Sequence, residues 1–221
     1  MHSSLWLTFL LVVPLAGALG AALTRKVEGR AYMVAIGAST IELVLSVIVA
    51  FLYNDHIAKA QTFDFATRHV LAASFGLAYD VSIDGISVLM VVLTALTVLL
   101  ALLGARDRRQ EPAFVAWMLL LTCFTMGSFL SHDLLEFFIF FELTLIPCYF
   151  IISQWGGRDR AKAALKFFIY TFAGSAFLFV GILYLGFLHQ HQTGGALTFS
   201  DSALTSTILS HGVSVWLFLA A

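Results

Sequence analysis

The sequence predicts an all-α protein, a polytopic bundle of transmembrane helices with six complete spans and a partial seventh. Hydrophobic residues make up 60% of its 221 positions and charged residues only 11%, and the apolar residues gather in long runs separated by short polar connections. A mean hydropathy of +0.94 lies far from that of a soluble domain. The runs lack the two-residue alternation of a membrane β-barrel, and no fixed-period repeat is visible. A formal net charge of -1 offers no electrostatic basis for nucleic-acid binding, so the charges are read by position. A single transmembrane domain is expected over residues 1–221.

The first run, Leu5 to Leu23, matches the roughly 20 helical residues that cross a bilayer core. It reads as a retained span rather than a signal peptide. No lysine or arginine precedes it, it exceeds an ordinary signal core, and Arg25, Lys26 and Arg30 follow it. Further spans are expected at Ala31 to Tyr53, Ile83 to Gly104, Ala113 to Leu130, Leu134 to Ser153 and Ala161 to Leu188. A seventh begins near Thr205 and is cut at Ala221 without a polar flank, so the chain is expected to be part of a longer protein.

The connections give the orientation. Arg25, Lys26 and Arg30 follow the first span, Arg106, Arg108 and Arg109 the third, and Arg158, Arg160 and Lys162 the fifth. The opposite connections hold Lys59 and Arg68 with His56, His69, His132, His189 and His191. The positive-inside rule therefore puts the amino terminus outside. Trp6, Tyr53 and Trp155 fall at span ends, where amphipathic rings sit at headgroup level. Most of the 21 phenylalanines read as lipid-facing or packing residues. The long connection Asn54 to Ala78 mixes charges with Phe63, Phe65, Val70 and Leu71 and is expected to hold a short interfacial helix.

Ionisable residues inside the spans are the candidate functional groups, because a charge at mid-membrane costs about 3 kcal/mol or more and persists where it faces protein, water or a counter-charge. Glu42 lies near the middle of the second span. Two readings of it stand: a protonated carboxyl bonded to Ser39, Ser46 or a neighbouring helix, or a member of a proton path. In the fifth span Glu142 is about 12 Å deeper than the span's start at Leu134, whereas Glu136 sits near the outer end and can be solvated. Their spacing of six puts them on different helix faces. Pro147 cannot donate to the carbonyl of Leu143, beside Glu142, and a freed acceptor at that depth calls for water or a side-chain donor. In the sixth span Lys162, Lys166 and Tyr170 form one polar stripe continued by Gly174 and Ser175. Lys162 should snorkel to the interface. Asp84, at the amino end of the third span, is expected to cap it rather than to transfer protons.

FFELTLIPCYFIISQWGG, followed by KFFIYTFAGSAFLFVG, resembles the central motif of the antiporter-like membrane subunits of respiratory complex I. YDVSIDGISVLMVVLTALTVLL resembles the entry to that family's third helix. The resemblance is specific from about Tyr79 to Leu185 and implies the amino-terminal portion of a subunit more than twice this length. It implies a proton-translocating membrane subunit of an NADH-quinone oxidoreductase, carrying part of a proton channel. Glu142 and Lys166 would then be proton-translocating residues; Glu42, Glu136 and Asp84 are candidates for a proton path by their positions alone, and Pro147 is the expected helix break. In the family the glutamate works with a lysine on a broken seventh helix, beyond the end of this chain. KFFIYT matches closely, which favours a buried or water-lining Lys166 over a snorkelling one. An amine brought toward or away from a carboxylate changes its proton affinity without redox chemistry.

A cation/proton antiporter of the Mrp type, a membrane-bound hydrogenase subunit and a truncated, non-pumping structural subunit are the alternative readings. The partners implied are other membrane subunits of complex I, the lipid bilayer and protons, in the inner membrane of a bacterium, with NADH and quinone bound by other subunits. No cofactor, catalytic residue or metal site is expected in this chain. Cys123 and Cys148 form no CxxC and lie at different depths, the histidines fall in loops or rims rather than facing one another as haem ligands, and no nucleotide-binding glycine loop is present.

Overall fold

A computed structural model describes residues 3–24, 29–58, 67–72, 76–108, 111–209, 214 and 216. Six long helices, α1 (Ser3–Leu23), α2 (Arg30–Ala58), α3 (Gly85–Gly104), α4 (Pro112–Leu130), α5 (Leu134–Trp155) and α6 (Arg160–Thr193), carry most of the described chain. All six contain stretches long and apolar enough to cross a membrane. The protein is a multi-pass membrane protein with the expected six spans.

The first four helices form a bundle in which α1 packs on α2 and α4, and α2 on α3; α5 then packs on α4 and α6 on α5. The bundle holds two apolar clusters. The one nearer the amino terminus of α1 includes Leu7, Leu10, Val49, Val91, Ala95, Met126 and Leu130. The other includes Ala18, Ala35, Ala38, Val98, Leu102, Val115 and Leu119. Between these clusters along the helices lie the buried Ser39, Glu42, Ser46, Thr122 and Cys123.

The segment between α2 and α3 differs from expectation. α2 continues to Ala58, and the described remainder is an antiparallel hairpin of β1 (Thr67–Ala72) and β2 (Leu77–Val81); residues 59–66 and 73–75, within the stretch expected to hold an interfacial helix, lie outside the described residues. The hairpin is anchored by pairing that no local pattern encodes. The amide of His132 donates to the Asp80 carbonyl at 2.7 Å and that of Ser82 to the Leu130 carbonyl at 2.9 Å. Bridges Val81 to Ser131 and Asp133 to Ser200 extend the strand-like contacts to the segment after α6. One end of the molecule is thus covered by three connections that share backbone hydrogen bonds.

α6 runs 34 residues, about 51 Å at the helical rise and well beyond a core of about 30 Å. Its last turns are packed by returning chain: Phe199 is buried against Gly186, where a Cβ would enter its ring. His189 Nδ1 lies 3.0 Å from the Thr207 hydroxyl. Gly194, left-handed at φ 67°, makes the reversal. A short α7 (Asp201–Leu204) follows. Of the expected seventh span, Thr205 to Leu209 are not helical, Ser214 and Trp216 are, and the rest lies outside the described residues.

Candidate functional site

The packing of α5 positions its two glutamates. Phe138 stacks on Phe179 at 4.7 Å and Tyr149 meets Phe168 edge-on at 6.0 Å, so the face bearing positions 138, 142, 145 and 149 looks toward α6. Glu142 therefore faces α6. It is half-buried, and its Oε1 is buried with no hydrogen-bond partner among the described residues. Pro147 is also buried, inside a helix that continues without a break to Trp155. The two ring pairs set Glu142 level with Ser175, which is buried and donates to the Phe172 carbonyl at 3.0 Å.

The same register sets Lys166 level with Ile151, roughly 14 Å along the axis from Glu142. Lys166, like Lys162 and Tyr170, is exposed on the outside of α6. No ion pair involves it among the described residues. The two principal candidates thus flank one helix pair at different depths and do not touch.

Glu136 lies on the other face of α5, with Phe140 and Pro147, toward α4. It is 5% exposed, not solvated as its position near the helix end suggests. The hairpin explains the difference: Asp80 N–H donates to Glu136 Oε2 at 3.0 Å. Asp133, 1% exposed, caps α5 by accepting from the amides of Leu135 and Glu136 at 2.9 and 3.2 Å. Burial pushes its carboxyl up from the ordinary value, against those two amides and the positive charge of Arg68, with Asp80 adding repulsion. Arg68 Nε lies 3.7 Å from Asp80 Oδ2. Sequence reasoning missed Asp80 and Asp133 as neighbours of Glu136, and no signal short of the hairpin pairing could have found them.

Asp84 caps α3, accepting from Ile86 N at 3.0 Å and Ser87 N at 2.6 Å. The Ser87 amide above all holds its carboxyl below the ordinary value, as an ionised cap at a helix amino end should be. It lines an open cavity of about 260 Å³ that also includes Ser82, His132, Asp133 and Asp201. Asp84 and Asp133 share this mouth, at the end of the bundle away from the basic connections, while Glu142 does not line it.

Glu42 is 1% exposed and both carboxyl oxygens lack partners among the described residues. The hydrogen bonds expected to Ser39 and Ser46 are not made: Ser46 donates to the Leu43 carbonyl at 2.8 Å, and Ser39 Oγ is itself buried without a partner. On the basic side of the bundle, Trp155 Nε1 donates to Glu111 Oε2, fixing that ring at the span end. Cys123 is buried and Cys148 half-buried, both as free thiols; Cys123 Sγ lies 3.3 Å from the Leu11 carbonyl.

Residues 131–220 match the family described as NADH:quinone oxidoreductase/Mrp antiporter, TM. That segment begins at the α4–α5 connection and contains Asp133, Glu136, Glu142 and Lys166. NADH-quinone oxidoreductase subunit M of Rickettsia conorii is 37% identical over 149 residues, covering 64% of this chain and 30% of that protein. NAD(P)H-quinone oxidoreductase chain 4 3 of Picosynechococcus sp. is 33% identical over 218 residues, covering 96% of this chain and 38% of that protein. A chain of respiratory complex I from Thermus thermophilus with bound NADH superposes with a TM-score of 0.80 at 25% identity, covering 97% of this chain and 42% of that chain. A chain of the Mrp complex from Dietzia sp. shares the fold, with a TM-score of 0.71 at 15% identity, covering 97% and 22%. The chain spans about a third of the length of the curated relatives it matches.

Proposed function

Because the chain belongs to the family of antiporter-like membrane subunits shared by NADH:quinone oxidoreductase and Mrp antiporters, we propose that it is the amino-terminal part of a proton-translocating subunit of NADH-quinone oxidoreductase. The observation that carries the reading is Glu142: a half-buried carboxylate inside the matched segment, turned toward α6, with an unpartnered buried oxygen. A carboxylate so placed changes its proton affinity with any charge that approaches or leaves α6. Lys166, about 14 Å nearer the basic end, supplies a second protonatable group, and the distance requires an intermediate carrier such as water. Glu136 and Asp84 stand toward the outer mouth, the first at the hairpin seam and the second at the open cavity. In this reading NADH and quinone are bound by other subunits of the complex. Other membrane subunits of the complex would cover the exposed outer face of α6.

The relatives at 33–37% identity carry quinone oxidoreductase names, which favours that assembly over an Mrp antiporter or a membrane-bound hydrogenase. Affinity purification of the full-length subunit from its native membrane tests the choice. Quinone oxidoreductase subunits are expected to come with it, and recovery with antiporter or hydrogenase subunits instead would overturn the assignment.

The orientation we propose is amino terminus outside, in a bacterial inner membrane, from the basic residues at one end. Cysteines introduced at Asp107 and Arg158 should react with an impermeant thiol reagent only from the cytoplasm, and one at His191 only from outside. Reaction of both sets from one side would contradict the six-span arrangement.

A further inference from the structure

The middle layer of the α1–α4 bundle lies outside the matched segment and has no part in the site around Glu142. It holds a fully buried glutamate that faces no cation among the described residues. The helices packed against α2 are α1, α3 and α4. α1 and α3 contain no titratable residue within the membrane, and α4 contains only Cys123, which is within electrostatic reach of Glu42 but engages the Leu11 carbonyl. On α2 the nearest titratable groups are Tyr32, ten residues before, and Tyr53, eleven residues after. An ionised carboxylate buried without a counter-charge or hydrogen bonds is prohibitively costly, and such a group takes a proton.

A neutral carboxyl still needs hydrogen-bond partners, and the layer offers two more groups without them. Ser39 Oγ, one turn before Glu42 on the same face, is buried and unpartnered. The third lies on α1. Pro14, buried within that helix, has no N–H for the carbonyl of Leu10. The close approach of Gly17 to Ala38 and of Gly20 to Val34 sets Glu42 level with Val12 and Val13, less than a turn from the height toward which the Leu10 carbonyl points. A carboxyl, a hydroxyl and a freed carbonyl thus lie at neighbouring heights between two apolar clusters. Three polar groups are the usual complement of one buried water.

We propose that Glu42, Ser39 and the Leu10 carbonyl form a second proton-binding site, in which Glu42 carries a proton at neutral pH and a trapped water joins the three groups. The ligand is a proton with its water, held by the α1–α4 bundle independently of Glu142 and Lys166.

Infrared difference spectra of native membranes containing the assembled complex, wild type against Glu42→Gln at neutral pH, are expected to show loss of the C=O stretch of a protonated carboxyl. Ser39→Ala should move that band without removing it, because the water bonded to the carboxyl loses one of its anchors. Loss of a carboxylate band pair in Glu42→Gln would overturn the proposal. So would a band that Ser39→Ala leaves in place. If Glu42→Gln fails to assemble, the Ser39→Ala spectrum decides alone, since that variant retains the carboxyl and changes only its surroundings.

Discussion

Proton translocation by the assembled enzyme should fall about a hundredfold or more when Glu142 is replaced by Gln in the full-length subunit, a hundredfold being the low end of what removing a proton-transfer group costs. Gln keeps the shape and the hydrogen-bonding capacity of the side chain and removes the charge. The unpartnered Oε1 of Glu142 means that no described hydrogen bond is lost with it, so the change should reach function and not assembly. Electron transfer that is tightly coupled to pumping should fall with it. Lys166→Met should give an equal or smaller loss, because Lys166 lies on the exposed side of α6. Glu136→Gln should matter far less for pumping, since Glu136 holds the Asp80 amide. The measurement is acidification by inside-out vesicles at matched subunit content. Wild-type pumping by an assembled Glu142→Gln enzyme would refute the central assignment and leave a structural subunit as the better description.

The largest stability loss is expected at Gly127, where α4 meets α5. A Cβ at that position would lie within the Phe140 ring, so Gly127→Leu must displace Phe140 or part the helices. Overpacking of this kind costs about 1–3 kcal/mol, and the thermal unfolding temperature in detergent should drop by several degrees. Phe140→Ala, destabilising by itself through the cavity it leaves, should restore part of the loss when combined with Gly127→Leu. The double variant should be more stable than the sum of the single losses by about 1 kcal/mol or more, as contacting residues couple. Strict additivity would mean that Gly127 is small for some reason other than the ring against it. The consequence reaches Glu136, which shares the α4-facing side of α5 with Phe140.

Much of this was legible in the chain itself, and the limits have physical causes. The six spans follow from runs of apolar residues that only a bilayer or a core could accept, and the cap at Asp84 follows from local chemistry within three residues of the helix start. The depth of Glu42 follows from its place in the apolar run Ala31 to Tyr53; the lack of partners for it does not, because that depends on what α1, α3 and α4 bring to the same height. Glu136 was misjudged because the group that satisfies it, the Asp80 amide, is 56 residues away on a hairpin whose strands are too short to show a period. Lys166 and Glu142 could each be placed along their own helix. Their separation depends on the register of the antiparallel pair, set by the turn at Gly156 to Asp159, where Asp159 adopts a left-handed φ of 61°.

The seam of backbone hydrogen bonds at the hairpin end also carries an order of events in biosynthesis. The bridge from Val81 needs only Ser131, whereas the bridge from Asp133 needs Ser200, more than sixty positions further along the chain. During synthesis α1 to α4 enter the membrane with that end open, held by their own two apolar clusters. Only after α6 has been released into the bilayer and residues 194–200 have emerged on the far side can the seam be completed. A ribosome stalled before Phe199 would leave the Leu134 amide without the carbonyl it pairs with at 2.9 Å, and the strand-like edge at Asp133 without Ser200. The last part of the seam therefore closes only once the sixth helix is in place.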